Sequence, residues 1–238
     1  MNNMKVAVVQ FPGTNCDLDT YHILKNVLKT DVSLIWHERT DLDSFDVVIL
    51  PGGFSYGDHL RAGGIAANSP TIRQIKDIAN DGRPVLGICN GFQILVETGL
   101  LPGALLANSG LKFVCKWVNL RVNEDCIFTK LAEKGSILRM PIAHNEGRYF
   151  TDDKTIESLE RNGQIIFRYV DANGVPNKSS NPNGSIYNIA GISNSKGNVL
   201  GLMPHPERAS EHLSSFSSED GLLIFRSMLR SVEVLLKR

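Results

Sequence analysis

Cys89, His205 and Glu207 are the residues of this chain whose types and settings best suit a covalent reaction. Cys89 follows the apolar run Val85-Leu86-Gly87-Ile88 and precedes the helix-forming run Phe92-Gln93-Ile94-Leu95-Val96. A short apolar run bounded by proline and glycine reads as a buried strand. Gly87 and Gly91, on either side of the cysteine, allow a tight strand-to-helix turn with close backbone approach. Such a turn has the logic of a nucleophile elbow, here with cysteine where serine usually stands. The N–H groups at the start of the following helix then face any oxyanion formed at the nucleophile. The plain alternative is a buried structural thiol, but a core cysteine has no need of glycine on both sides.

His205 directly follows a strand-like run and lies between Pro204 and Pro206, with Glu207 two residues on. The prolines stiffen the segment. In an extended segment residues i and i+2 point the same way, so Glu207 and His205 share a side. A carboxylate on one imidazole nitrogen, with the other facing a thiol, is a triad arrangement. In it the imidazole takes the thiol proton, and the carboxylate fixes the tautomer and stabilises the imidazolium. An imidazolium nearby lowers a thiol pKa from its free value of about 8.5.

The elements needed to bring these residues together are legible in the order of the chain. Apolar runs at residues 5–10, 33–36, 45–50 and 85–88 read as buried strands of a parallel sheet. Helical spacing at 17–28 and 70–81 reads as helices between them, the second capped by Gly82. A further helix runs through Val96 and Glu97 and stops before Gly99. This alternation predicts an α/β fold, an open, mostly parallel doubly wound sheet flanked by helices. In such sheets the chemistry lies outside the carboxyl ends of the strands. Pro51-Gly52-Gly53 and Cys89 both sit at such ends. Beyond residue 112 the texture alternates apolar and polar residues, which predicts a smaller antiparallel extension. Its elements are strands at 112–122, 137–143, 164–170, 189–193 and 199–203, helices at 154–162 and 220–236, and a long Asn/Pro/Gly/Ser loop at 171–185. The turn Ser195-Lys196-Gly197-Asn198 marks a hairpin. No repeat or linker divides the chain, so residues 1–238 are expected to form a single domain.

Composition narrows the function classes. Lysine plus arginine and aspartate plus glutamate each number 25, so no net field points to nucleic acid or an anionic membrane. No run approaches a transmembrane helix, and Met1-Asn2-Asn3-Met4-Lys5 leads into a strand without the apolar core of a secretory leader. Cys16, Cys89, Cys115 and Cys126 are scattered, with no C-x-x-C pair for zinc or redox work. No metal is expected, and a reducing cytoplasm is the expected compartment.

Gly87-Ile88-Cys89-Asn90-Gly91-Phe92-Gln93 together with Pro204-His205-Pro206-Glu207 resembles the class I, triad-type glutamine amidotransferases. Pro51-Gly52-Gly53 resembles their oxyanion strand. Further segments narrow the likeness: residues 51–58, Leu60-Arg61-Ala62-Gly63, Ala143-His144-Asn145-Glu146-Gly147-Arg148-Tyr149, Asn181-Pro182-Asn183-Gly184-Ser185 and Met203-Pro204-His205-Pro206-Glu207-Arg208. With these the whole chain resembles the branch formed by the small glutaminase subunits of phosphoribosylformylglycinamidine synthases. His59, where an aromatic is expected, and Asn145, where glycine is expected, depart from the pattern without touching the triad.

The resemblance implies that Cys89 attacks the side-chain amide of glutamine, with His205 as base and Glu207 behind it. It implies an oxyanion hole from the backbone N–H groups of Gly53 and Asn90, with Gly52 as a further candidate donor. Gln93, His144, Glu146 and Arg148 are the glutamine-binding candidates, and loop binding of backbone is the plain reading of the last three. The implied partners are a large synthetase subunit, which would hold ATP and Mg2+, and a small third subunit. No cofactor is implied in this chain. The loops at 55–64 and around Asn181 are candidate docking surfaces. Three alternatives stay open: the same glutaminase chemistry serving another acceptor, as in GMP synthetase or pyridoxal phosphate synthase; a cysteine peptidase or chaperone-like protein on a related fold; and a non-enzymatic regulatory subunit.

Overall fold

A computed structural model describes residues 4–212 and 217–236. The first three residues, which belong to the N-terminal segment predicted to lack a leader, and the ends of the predicted single domain lie outside the described residues. The core is one cluster of buried side chains that spans both halves of the chain, from Met4 to Val232.

The first half builds the parallel part of a nine-stranded sheet. Its strands are β1 (Lys5–Gln10), β2 (Asp31–Trp36), β3 (Val47–Leu50) and β4 (Val85–Ile88). β3 and β4 are buried at every position, as strands covered on both faces must be. Helices α1 (Asp17–His22) and α2 (Thr71–Asn80) lie between β1 and β2 and between β3 and β4, and α3 (Asn90–Glu97) follows β4. The helix predicted at 17–28 is α-helical only to His22; Ile23–Val27 form a π-turn in which the Leu28 N–H bonds to the Ile23 carbonyl.

The second half contributes β5 (Ala104–Leu106), β6 (Val114–Val122), β7 (Ile137–His144), β8 (Arg148–Phe150), α4 (Asp153–Arg161), β9 (Ile165–Val170), β10 (Ile189–Ser193), β11 (Val199–Leu202) and α5 (Gly221–Leu236). The sheet order is β2-β1-β3-β4-β11-β10-β9-β6-β7. From β2 to β11 the neighbours are parallel, and from β11 to β7 they are antiparallel. The predicted antiparallel extension therefore continues the main sheet. A small antiparallel pair, β5 with β8, stands apart from it; neither strand is predicted from the sequence, because three-residue strands carry too little periodicity to register.

Two features of this order position the site. β11 returns to pair with β4, with Leu202 opposite Ile88, so the segments after both strands start side by side. β3 flanks β4 on the other side, with Leu50 opposite Gly87. The edge strand β7 tolerates Pro141, whose missing N–H faces no neighbour strand. It nevertheless reaches the same strand ends: the Pro141 carbonyl accepts from the His205 N–H at 2.9 Å.

Candidate active site

The turn after β4 is the tight strand-to-helix turn expected from its glycines, and it is strained. Cys89 takes φ +51°, ψ −104° and is the N-cap of α3. For a residue with a Cβ this conformation costs on the order of 1–3 kcal/mol and persists only where its surroundings over-determine it. Here the Cys89 N–H is held by the Leu202 carbonyl at 2.8 Å, and the Cys89 carbonyl accepts from the Gln93 N–H at 3.1 Å. Gly91 is obligatory, since a Cβ there would drive into the carbonyl of Leu50 at the end of β3. The Cys89 Sγ lies 3.7 Å from the Ala143 carbonyl and is 4% exposed.

Asn90 opens α3, so its backbone N–H belongs to the first helical turn, where no intrahelical acceptor exists. Its buried side chain ties the turn to the β3 end: Oδ1 accepts from the Ser55 N–H at 3.1 Å. On that segment, the Gly52 carbonyl accepts from the Cys16 N–H at 3.1 Å. A Cβ on Gly52 would lie 2.7 Å from His205 Cε1 and 3.1 Å from Cys16 Sγ, so the imidazole rests directly on this backbone.

His205 and Glu207 are both buried, and His205 Nδ1 is 2.6 Å from Glu207 Oε1. Pro206, between them, starts a single 3-10 turn that completes the segment. Burial alone would push the His205 imidazole down; the Glu207 carboxylate, then Cys89 and Cys16, outweigh it and hold the pKa well above the ordinary histidine value. An imidazole so placed is a strong proton acceptor. Nε2 makes no hydrogen bond, which leaves it free to exchange a proton.

The glutamine-binding candidates divide differently. Gln93 is buried, its Nε2 donating to the Glu146 carbonyl at 2.6 Å and its Oε1 accepting from Asn90 at 2.9 Å. It braces the 144–148 loop against the elbow. His144 is also buried, with Nδ1 3.1 Å from Asn108 Oδ1 and Nε2 3.5 Å from Asn183 Nδ2. Burial, then the charge of His205, pushes its pKa down to about 4, so it is neutral. Glu146 accepts from the Ala62 N–H at 3.3 Å, and Arg148 Nε donates to the Ala107 carbonyl at 3.0 Å. These four side chains hold loops around the site, and the amide and imidazole among them are committed to internal partners.

Two further residues, to which the sequence reading gave no site role, have perturbed surroundings. Cys16 is 2% exposed, and its Sγ lies 3.2 Å from Arg208 Nη2. Burial pushes its thiol up, opposed by the His205 ring. The sequence shows only that Cys16 follows β1; the parallel pairing of β1 with β3 brings it to the site. Asp58, in the 55–64 loop, is pushed up to about 6 by burial and then by the charge of Glu146. Cys115 is exposed and Cys126 is buried.

Comparison with known proteins places the chain in a family. CobB/CobQ-like glutamine amidotransferase domains match residues 3–228. The chain belongs to this glutamine amidotransferase family. Within the family it is 55% identical over 227 residues to the phosphoribosylformylglycinamidine synthase subunit PurQ of Aquifex aeolicus, covering 95% of this chain and 99% of that one. The PurQ subunit of Methanosarcina barkeri is 54% identical, with 95% and 97% covered. The structure of PurLQS from Thermotoga maritima contains a chain 44% identical, with a TM-score of 0.84 over 97% of this chain and 99% of that one. Another glutamine amidotransferase of Thermotoga maritima, 15% identical with a TM-score of 0.58 over 99% and 94%, shares the fold.

Proposed function

We propose that this glutamine amidotransferase is the glutaminase subunit of a phosphoribosylformylglycinamidine synthase, with Cys89, His205 and Glu207 as its catalytic residues. The observation that carries the reading is the convergence of three strand ends. Cys89 after β4, Gly52-Gly53 after β3 and His205 after β11 meet at one point, with the imidazole resting on Gly52. The likeness to the PurQ subunits supports the choice of acceptor.

In this reading Cys89 Sγ attacks the side-chain amide carbon of glutamine while its proton passes to His205 Nε2. The oxyanion is held by the N–H groups of Gly53 and Asn90, with Gly52 as a further candidate; each such donor is typically worth about 10²–10³ in rate. His205 gives the proton to the departing nitrogen, and ammonia leaves behind a γ-glutamyl thioester on Cys89. Water, deprotonated by His205, then cleaves the thioester and returns glutamate and the free thiol. Glu207, 2.6 Å from Nδ1, keeps the ring proton on that nitrogen and stabilises the imidazolium in both steps.

Ammonia is passed to the synthetase subunit, which uses ATP to convert formylglycinamide ribonucleotide to its amidine in purine biosynthesis. ATP and Mg2+ belong to that partner, and a small third subunit completes the complex; the likeness to a chain of PurLQS from Thermotoga maritima supports such an assembly. The compartment is the cytoplasm, and among the described residues no helix is long and apolar enough to cross a membrane. Docking falls on the 55–64 loop, where Leu60 is 88% exposed, and on the loop around Asn181. Phe54, directly after Gly53, is exposed with its ring 6.3 Å from that of exposed Phe113, which extends the apolar surface beside the site.

Cys89→Ser in the reconstituted complex should abolish glutamine-dependent amidine synthesis and leave ammonia-dependent synthesis at the wild-type rate. Retained glutamine-dependent synthesis would remove Cys89 from the mechanism, and amination of a different acceptor alone would overturn the assigned partner.

A further inference from the structure

Cys16 has no task in the mechanism above, yet it borders the catalytic imidazole and carboxylate. One ligating atom each from Cys16, His205 and Glu207 lie within 4.8 Å of one another, and all three residues are buried. Glu207 Oε2 is buried without a hydrogen-bond partner, although the other oxygen is engaged by His205. Cys16 Sγ lies 3.3 Å from Asn15 Oδ1 and 3.2 Å from Arg208 Nη2, and that guanidinium is itself 3.3 Å from Asp19 Oδ2. A thiolate, an imidazole and a carboxylate are together a ligand set suited to zinc.

We propose that Cys16, His205 and Glu207 form a binding site for zinc(II) that silences the glutaminase when occupied. Tetrahedral zinc spaces its ligand atoms roughly 3.5 Å apart, given bonds of about 2.0–2.3 Å. Small side-chain rotations close the observed triangle to that size. On binding, Cys16 gives up its thiol proton to solvent. The cation enters on the carboxylate's side of the ring and takes Nδ1; the proton held there is displaced and passes through solvent to Nε2, the one place left for a ring proton. His205 then presents an N–H to Cys89 and accepts no proton from it. The silencing rests on the catalytic reading of His205; the binding itself does not.

Two measurements on the reconstituted complex test the proposal. Cobalt(II), a spectroscopic stand-in for zinc, should give a thiolate-to-metal charge-transfer band in the wild type and in Cys89→Ser, and none in Cys16→Ser or Cys16→Ala. Buffered zinc should lower the glutamine-dependent rate of the wild type, reversibly on adding a zinc-selective chelator. Ammonia-dependent synthesis should be unaffected. Measured against its own zinc-free rate, Cys16→Ser should need roughly tenfold more zinc, or beyond, for the same inhibition. Absence of the band in the wild type, or a band that survives in Cys16→Ser and vanishes in Cys89→Ser, would overturn the site. Equal zinc sensitivity of Cys16→Ser and wild type would overturn it as well. If Cys89→Ser keeps glutamine-dependent activity, the catalytic reading fails, while the cobalt band still decides the metal site.

Discussion

At Cys89 and His205 two unfavourable local states are held in place by their surroundings. Cys89 sits at φ +51° because its N–H must meet the Leu202 carbonyl while the chain turns into α3. His205 is fully enclosed, yet it takes up a proton more readily than an ordinary histidine because Glu207 lies 2.6 Å from Nδ1. His144, nearby, shows the opposite outcome of burial: with amide partners and no carboxylate, it is held neutral at a pKa of about 4. The unfolded chain, with histidine near 6.5, therefore binds more protons than the folded one between about pH 4 and 6.5, and stability must rise with pH across that window. The full contribution of such a shift is on the order of 3 kcal/mol. Asp58, raised to about 6, has the opposite slope in the same range, so a single pH profile mixes the two. Denaturant unfolding of wild type and His144→Gln from pH 4 to pH 7 separates them. The variant should lose distinctly less stability on acidification, and parallel profiles would contradict the assignment of a neutral buried His144.

The elements place these residues through strand adjacency. Cys89 and His205 are 116 positions apart in the chain, yet β4 and β11 are parallel neighbours that end in register. The sequence shows each strand by its apolar run, and shows the chemistry at each end by its glycines and prolines. It does not show that β11 lies beside β4, because pairing order is decided by packing between segments distant in the chain. The same holds for Cys16: its place beside His205 depends on β1 and β3 being neighbours. Gly52 is the contact through which one element limits another. Gly52→Ala keeps the backbone N–H but sets a methyl group 2.7 Å from His205 Cε1. A displacement of the base near 1 Å costs about 10² in rate. Glutamine-dependent turnover of the complex should fall by roughly that factor while ammonia-dependent turnover holds; an unchanged glutamine rate would show that the imidazole does not rest on this strand end.

Over the whole molecule, the parallel half was legible because buried strands and amphipathic helices alternate there with strong periodicity. The long second half was legible as strands but not as one continuous sheet. β7 is the far edge of that sheet, yet Pro141 and Ala143 on it touch His205 and Cys89. Curvature of this kind comes from accumulated strand twist, which no residue pattern states. The 144–148 loop after β7 was read from the sequence for glutamine contacts. In the fold its buried residues serve first as a brace: Asn108, Asn183 and Gln93 fasten it behind the elbow. The second half of the molecule thus closes a cover over the proposed nucleophile, which the first half supplies.

The most direct test of that arrangement is covalent trapping. A diazo-ketone analogue of glutamine should react with one cysteine of the intact complex, and peptide mass mapping should place the adduct on Cys89, with the adduct lost in Cys89→Ser and strongly slowed in His205→Asn. An adduct on Cys16, Cys115 or Cys126 in place of Cys89 would contradict the account.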